Sequence, residues 1–425
     1  MDSLYLILYG AAWLCLSFYF YRKYKKITPI VYVFAAYTLF SVMSFFLYND
    51  KEKIYTFHEL QLFPFIYLFA MLLIASLPII KYSGSKITSI QQPSITKLNI
   101  YIWTFIIASL LSLPNVIDNL YKIPLLLFES SMGQDAYRES IETSQTNNVG
   151  FISNLPAIIT GLYSKIGPFL LFYYLTLKHK NKWVIVGLIY SIFSWMLSFM
   201  ITGQRGGVFH TAICLISAFV LVKDFLPETI KKRTKKIGVI AIVLVTIPMA
   251  ALTISRFGED SNSGTNIKSS LYYYTGQSTL YFNNYGLDNN GIRYGDKTCT
   301  YFKILLGFND VPLDFWAGRE KYPRLYIGDE VFSSFVGDFT IDFGPFVAFF
   351  IFFIVYFLFY IKLNVNGKNI QFHKLLILFI LLDLSVDGAM FLYPYGYSGG
   401  NLKLIFYILS VLYFKLDRKK TLQYE

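Results

Sequence analysis

The sequence predicts an all-α, polytopic integral membrane protein that crosses the membrane about eleven times. Hydrophobic residues make up 55% of its 425 residues, and charged residues only 15%. The mean hydropathy is +0.47, a value that soluble globular chains of this length rarely reach. The apolar residues form long segments, and the basic residues gather in the connectors that follow every second segment.

The apolar segments justify the number of helices. Most of them have the roughly 20 residues that a helix needs to cross the hydrocarbon core, and helices pair the backbone polar groups that lipid cannot pair. We expect the last segment, which is short, to tilt or to lie partly in the interface. The predicted spans are residues 3–21, 28–48, 60–80, 99–118, 153–177, 183–202, 207–222, 237–255, 336–361, 375–392 and 402–414.

Two connectors are long. We expect residues 1–425 to form a single polytopic membrane domain, with a first long extracytoplasmic loop at 119–152 and a large one at 256–335, between helices 8 and 9. The large loop is far longer than a connection between two helices requires, and ordered loops of this length are usually functional.

The distribution of Lys and Arg predicts the orientation. The connectors after spans 1, 3, 5, 7 and 9, together with the C-terminus, hold 23 of the 38 basic residues and four of the 26 acidic ones. Positive connectors stay in the cytoplasm, so we expect the N-terminus outside, the C-terminus in the cytoplasm and both long loops outside. The net charge of +12 then indicates contact with anionic membrane lipids and not with nucleic acid.

Cofactor and metal motifs are missing from the sequence. It contains no HExxH motif, no outside cluster of Cys and His, and no nucleotide-binding fingerprint, so we expect no metal and no cofactor. Two of the three cysteines, Cys15 and Cys214, fall inside apolar segments. A disulfide framework is therefore not expected.

A glycine-rich hairpin joins spans 6 and 7 on the outside: Gly203-Gln204-Arg205-Gly206-Gly207. Glycines bring backbone N–H groups close to a ligand, a helix N-terminus favours an anion, and the forked Arg205 side chain suits phosphate or pyrophosphate. The alternative is a tight turn with a snorkelling arginine. His210 follows one turn inside span 7, either as a base beside the anion or as a packing residue.

Two carboxylates stand where the large loop enters span 9. Asp338 and Asp342 are four residues apart and share one face of a helix. Carboxylates this close push their pKa values apart, which is one way to make a general base. They could equally pair with Arg205 or Arg256 and hold the loop in place.

Other charged and aromatic residues remain open to two interpretations. Tyr273 and its aromatic neighbours in the large loop suit a sugar platform or an interfacial aromatic belt. Lys165 and either Asp383 or Asp387 fall inside predicted spans, where an unpaired charge is costly. They predict a buried structural pair or, alternatively, a proton pathway.

With these features the chain resembles the bacterial O-antigen and capsular repeat-unit polymerases, the Wzy type. The resemblance covers the whole length as architecture, and locally it rests on Gly203-Gln204-Arg205-Gly206-Gly207 and on Asp342-Phe343-Gly344. Some members have paired Arg-rich repeats in two outside loops. That pattern is not traced cleanly in this sequence, where Arg138 and Arg256 are the nearest candidates.

The resemblance implies a glycosyltransferase at the outer face of the bacterial inner membrane, in O-antigen (lipopolysaccharide) or capsule synthesis. It would join undecaprenyl-pyrophosphate-linked oligosaccharide repeat units, with the lipid pyrophosphate as leaving group. The partners would be the lipid-linked donor and acceptor, and a chain-length regulator is left open.

The resemblance also implies site residues, since cations would stabilise the pyrophosphate and a base would act on the acceptor hydroxyl. For substrate binding we expect Arg205 and Arg256, with Arg138, Arg319 and Arg324 as further contacts. For the base we expect Asp342, with Asp338 or His210 as the substitute.

Three other functions remain. A ligase that moves finished glycan to an acceptor shares this architecture. A polytopic transporter or flippase of lipid-linked glycan would concentrate charges along a central pathway, for which Lys165 with Asp383 is the one argument. A structural scaffold would leave the large loop unexplained.

Overall fold

The structure is a computed structural model that describes residues 2–50, 57–121, 151–202, 204–238, 267–327, 331–363 and 367–416. The chain divides into two compact units. The first unit is Met1–Gln91 with Lys268–Leu416, and the second is Gln92–Ile267 with Asp417–Glu425.

The first unit is built from helices and two short strands. Its N-terminal part contains α1 (Asp2–Tyr24), α2 (Pro29–Tyr48), α3 (Leu62–Ser83) and β1 (Ser89–Gln91). The second unit then provides α4 (Ile95–Leu111), α5 (Leu113–Ile117), α6 (Phe151–Tyr163), α7 (Ile166–Tyr174), α8 (Lys182–Ile201) and α9 (Arg205–Val222), followed by a 3₁₀ turn at Lys223–Phe225. Residues 228–238 are also helical.

The chain returns to the first unit with α10 (Ile267–Tyr285), α11 (Thr300–Leu305), α12 (Phe315–Lys321), α13 (Ser334–Phe343) and α14 (Pro345–Lys362). It ends with β2 (Asn369–Gln371), α15 (Phe372–Met390) and α16 (Tyr397–Lys415). The three helices α10, α11 and α12 all lie within the predicted large loop.

The helices confirm a membrane protein of the all-α class. Within the described ranges, six helices are long and apolar enough to cross a membrane: α1, α2, α3, α8, Gly206–Phe225 and α14. A seventh span results if the bent pair Asn154–Tyr163 and Ile166–Tyr174 counts as one. These correspond to predicted spans 1, 2, 3, 6, 7, 9 and 5. The full number of eleven is not confirmed.

The remaining predicted spans, 4, 8, 10 and 11, are not among these membrane-spanning helices, for the following reasons. Predicted span 4 becomes the shorter helix α4 with α5, and α15 carries three charges, Lys374, Asp383 and Asp387. Helix α16 is long, but it begins with a polar stretch that contains Asn401 and Lys403. Predicted span 8, residues 237–255, lies outside the described residues apart from its first two.

Predicted span 9 is interrupted. Gly344 adopts a left-handed conformation (φ 77°) between α13 and α14, and Pro345 is the first residue of α14. A proline disfavours helical geometry in the residue before it and itself fits the first helical position. The membrane span is therefore α14 alone, and Asp338 and Asp342 lie on a separate helix that precedes it.

The core of the first unit is aromatic and tightly packed. Trp13 of α1 is fully buried, with ring centroids 5.4 Å from Phe34, 4.8 Å from Tyr37 and 4.3 Å from Phe69. Helix α10 crosses α2 so closely that Ser44 Oγ donates to the carbonyl of Gly276 at 2.7 Å. A helix of modest polarity is thereby held against apolar ones.

The helices of the first unit have two distinct ends. At one end, the backbone N–H of Ile30 donates to Ser83 Oγ at 3.2 Å, and β1 pairs in parallel with β2. We call this the basic end, because its connectors carry Arg22, Lys23, Lys25, Lys26, Lys81, Lys86, Lys362 and Lys368.

At the other end, Tyr48 Oη donates to Asp2 Oδ2 at 2.6 Å, and the backbone N–H of Gln61 donates to Asn283 Oδ1 at 3.0 Å. Tyr67 Oη near the start of α3 donates to the carbonyl of Pro345 at 2.6 Å, so α3 and α14 start together. We call this the cap end.

Candidate functional site

The polar groups of the first unit converge in a compact segment at the cap end, residues 286–327, which we call the cap. It contains α11 and α12 and packs against α13. Its anchor on α13 is the backbone: the N–H of Arg293 donates to the carbonyl of Ile341 at 2.9 Å, and the N–H of Gly295 donates to the carbonyl of Asp342 at 3.0 Å. The cap is therefore fixed within one turn of the start of α14.

The anchored backbone of the cap is strained. Asn290 and Tyr294 have left-handed φ values of 59° and 55°, and Gly295 has a φ of 81°. Only glycine adopts this region without steric cost, and a bulky residue there is an outlier. The neighbouring Phe343 explains why residue 295 is a glycine: its ring lies 2.9 Å from the place where a Cβ would stand.

A buried ionic cluster lies beneath this backbone and consists of Arg293, Lys297, Asp338 and Asp342. Asp338 Oδ1 accepts from Arg293 Nη2 at 3.1 Å and from Lys297 Nζ at 2.8 Å. Its Oδ2 accepts from the backbone N–H of Tyr393 at 2.8 Å. All four side chains are at most 4% exposed. The charges of two cations and two carboxylates thus compensate one another in a buried site, as buried charges require.

Asp342 completes the ionic cluster. Its Oδ2 accepts from the backbone N–H of Thr298 at 2.7 Å. Its Oδ1 lies 2.7 Å from Arg293 Nε, a salt bridge in which the N–H bond is not directed at the oxygen. Burial raises the pKa of Asp342 above its ordinary value, although the charge of Arg293 and the N–H of Thr298 act in the opposite direction. A raised pKa suits proton transfer, but a substrate reaches this carboxyl only if the cap moves.

A second cluster connects α11 and α12 through Asp296, which is fully buried. Its carboxylate contacts Lys303 Nζ, accepts from Tyr322 Oη at 2.6 Å and lies 2.8 Å from Lys321 Nζ. Burial alone would raise the pKa of Asp296, but the hydrogen bonds from Lys303, Lys321 and Tyr322 outweigh it and hold the pKa below its ordinary value. Asp296 therefore stays ionised and ties the two short helices together.

The cap is also attached to α16. Asn401 is fully buried; its Oδ1 accepts from the backbone N–H of Tyr301 at 3.1 Å, and its Nδ2 donates to the carbonyl of Tyr395 at 2.7 Å. The backbone N–H of Tyr397 donates to the carbonyl of Lys297 at 2.7 Å. The cap thus contacts the end of α13, directly before α14, and the first turns of α16.

The structure brings together some of the predicted site residues. Asp338 and Asp342 lie one turn apart on α13, and both are paired with Arg293. Arg319 is exposed on α12, with its guanidinium 5.7 Å from the Phe315 ring centroid. Arg324 is exposed in the cap, where its carbonyl accepts from Asn290 Nδ2 at 3.0 Å. Tyr273 is half-buried on α10.

The other predicted site residues belong to the second unit or to undescribed parts of the chain. Arg205 is the first residue of α9, and His210 is half-buried on the same helix. Gly207 lies against Phe199 of α8, whose ring atoms stand about 2.1 Å from the place of a Cβ. Arg138 and Arg256 fall outside the described residues, as does most of the loop 119–152.

The predicted pair within the membrane stays a prediction. Lys165 lies in the second unit, between α6 and α7, which meet at an angle of 63°. Its carbonyl lies 3.1 Å from Cys214 Sγ. Asp383 and Asp387 are buried on α15 in the first unit.

Sequence reasoning missed Arg293 and Lys297 as the partners of the two aspartates. The available signal was the turn Gly291-Ile292-Arg293-Tyr294-Gly295-Asp296-Lys297, in which charges alternate with glycines. Glycines in such a turn let the backbone approach another element closely.

Within the described parts of the chain, no group of three or more His, Cys, Asp or Glu residues is arranged to hold a metal ion. Comparison of the chain with known protein families, curated proteins and solved structures finds no significant match.

Proposed function

We propose that this membrane protein is a glycosyltransferase that joins lipid-pyrophosphate-linked oligosaccharide repeat units, at the outer face of a bacterial inner membrane. The reaction moves a growing glycan from its lipid pyrophosphate to a hydroxyl of the next lipid-linked unit. The glycosidic bond to the pyrophosphate breaks, the new glycosidic bond forms, and the acceptor proton must go to a base. Such chemistry requires cations and a base at the membrane surface.

The observation that carries the proposal is the cap at the end of the membrane helices. It is a folded polar segment directly at the start of α14, at the end opposite the basic connectors of the first unit. A protein that acts on a lipid-linked sugar needs polar structure at this level, where the lipid carrier and its head group meet water. A transporter needs no such cap, but it needs charges along its path.

The two aspartates of the ionic cluster fit a positioning role better than the role of a free base. Both are buried, and each is held by a cation and by a backbone N–H. In this proposal they fix the cap at the membrane surface. Arg205 contacts pyrophosphate and His210, on the same helix, takes the acceptor proton.

Arg205→Ala tests the proposal. We expect a cell that carries only this variant to lose long glycan and to accumulate single repeat units, while the amount of protein in the membrane is unchanged. Arg205→Lys should restore part of the polymer, because lysine keeps the charge and loses the forked geometry. The length distribution of the glycan, separated by electrophoresis, is the measurement.

Arg233→Ala is the matched control. Arg233 is an exposed arginine of the same unit, in the predicted cytoplasmic connector, and its removal should leave the length distribution unchanged. Long glycan made by Arg205→Ala at normal protein level would contradict the role of Arg205. Loss of all glycan on the final acceptor, single units included, would favour the ligase instead.

A further inference from the structure

An apolar patch lies on the outer surface of the cap. It consists of Phe302, Ile304, Leu305, Leu306 and Phe308, in and directly after α11. Leu305 and Leu306 are 78% and 77% exposed, and Phe308 is 55% exposed. A contiguous group of large apolar side chains on a surface indicates an interaction site. Phe302 and Ile304, which are 42% and 36% exposed, border these three side chains.

The patch lies at the level where membrane-facing surface begins. Tyr301, which starts this segment, is bonded to Asn401 in the first turns of α16. Ile292, just before the ionic cluster, lies 3.3 Å from the place of a Cβ at Gly344, the residue before α14. Phe346, in the first turn of α14, is 82% exposed. In a membrane-spanning helix, such a side chain faces lipid. Lys303 of α11 donates to the carbonyl of Tyr294, two residues after Ile292, at 3.3 Å. The patch therefore lies close to the start of the lipid-facing helix.

Residues 293–308 also separate polar from apolar side chains, as a segment at a membrane interface does. Arg293 points into the ionic cluster, and the next residue, Tyr294, is exposed. Lys303 Nζ contacts the buried Asp296 and lies 5.3 Å from the Phe308 ring centroid. Polar heads thus point into the protein while apolar side chains point outward. An interfacial segment has its apolar face in the acyl boundary, and tyrosines are enriched at that level.

We propose that this patch inserts into the lipid bilayer that the helices span, in the leaflet at the cap end, and holds the cap against the membrane surface. The occupant is bilayer lipid, and the polar side of the same segment stays attached to α13 through the ionic cluster. Two kinds of contact would then hold the cap in place: ion pairs within the protein on its inner side, and lipid on its outer side. This inference does not depend on the proposed function.

The experiment measures the immersion of single spin labels. Leu305→Cys and Phe308→Cys are made in the full chain with Cys15, Cys214 and Cys299 replaced, and the labelled protein is reconstituted into phosphatidylethanolamine and phosphatidylglycerol vesicles. We expect oxygen, which concentrates in lipid, to relax both labels more strongly than a water-soluble nickel chelate. The logarithm of the ratio of oxygen accessibility to nickel-chelate accessibility should therefore be positive at both positions.

Asp310→Cys is the matched control, two residues after Phe308 and 93% exposed. Its label should show the opposite sign, with the nickel chelate the stronger relaxant. Leu306→Cys provides a second variant, and the melting temperature of each protein shows that it is folded. A negative sign at 305 and 308 would overturn the proposal, because the patch would face water. Labels that neither relaxant reaches would also overturn it, because protein would then cover the patch.

Discussion

At the scale of single residues, Arg293 decides how the cap is held. Its backbone N–H, its Nη2 and its Nε reach three places on α13, namely Ile341, Asp338 and Asp342. Arginine cannot lose its proton in a protein, so its buried charge requires a carboxylate partner. Lys297 then balances the second carboxylate. Each of these four charges is tolerated only because the other three are present.

Asp342→Asn tests this interdependence. The substitution keeps the shape of the side chain and removes one negative charge beside Arg293. We expect a loss of about 3–5 kcal/mol of stability, the usual cost of leaving a buried charge without its partner. The measurement is the thermal unfolding of the purified protein in detergent.

Asp310→Asn serves as the comparison, since it removes a carboxylate from the same cap at an exposed position, 3.0 Å from Lys321. Exposed ion pairs contribute about 0–1 kcal/mol, so its melting temperature should stay close to that of the unchanged protein. Equal melting temperatures for the two variants would show that the ionic cluster does not stabilise the cap.

At the scale of elements, the sequence predicted the long apolar helices well and their interruptions poorly. Helices α1, α2, α3 and α8 follow the predicted spans within three residues at each end, because a bilayer imposes both length and composition. The break at Gly344-Pro345 is visible in the sequence, since proline disfavours helix in the residue before it. The 63° bend between α6 and α7 also has a local signal, since Pro168 cannot donate a backbone hydrogen bond to the carbonyl of Ser164, where the bend lies.

The candidate site was predicted only in part. The spacing of Asp338 and Asp342 correctly put both on one helical face, since a helical period depends on local sequence alone. Their partners are 41 and 45 residues away from Asp338 in the chain. Which of the cationic side chains in a loop meets a given carboxylate is decided by the path of the backbone, and this path is set by the left-handed turn at Tyr294 and Gly295.

Gly276→Ala tests the packing between α10 and α2. A Cβ at this position would stand 2.6 Å from backbone atoms of Met43 and Ser44, so the two helices would have to separate. We expect a loss of about 1–3 kcal/mol, the usual cost of overpacking, although alanine by itself favours a helix by about 1 kcal/mol over glycine. Thermal unfolding in detergent again gives the measurement.

The control for this prediction is Gly399→Ala in the first turn of α16, where a Cβ meets no atom within 4 Å. Without a steric conflict, only the helix propensity remains, and the variant should be as stable as the parent or slightly more stable. If both variants shifted the melting temperature in the same direction, backbone propensity and not the close crossing would explain the effect at Gly276.

At the scale of the whole molecule, charge is sorted between the two ends of the first unit. The basic end has its strands β1 and β2 side by side, so the connectors after α3 and α14 lie together with their lysines. At the cap end, each buried cation is paired with a carboxylate. Excess positive charge on one side of a membrane protein favours the cytoplasm, so this sorting predicts that the basic end is cytoplasmic and the cap end is outside.

Labelling of single cysteines in intact cells tests that orientation. In the chain without its native cysteines, Asp310→Cys presents an exposed thiol on the cap, while Lys86→Cys and Lys368→Cys present exposed thiols in the two connectors joined by β1 and β2. We expect a membrane-impermeant maleimide to label position 310 from outside and to reach positions 86 and 368 only after the membrane is opened. The reverse pattern would put the cap in the cytosol, where it would meet no exported lipid-linked glycan.

Labelling of all three positions before the membrane is opened would mean that the cells leak. A cytosolic marker protein carried through the same reaction detects such a leak. Because the two connector positions come from distant parts of the chain, their agreement tests the arrangement of the first unit as well as its direction in the membrane.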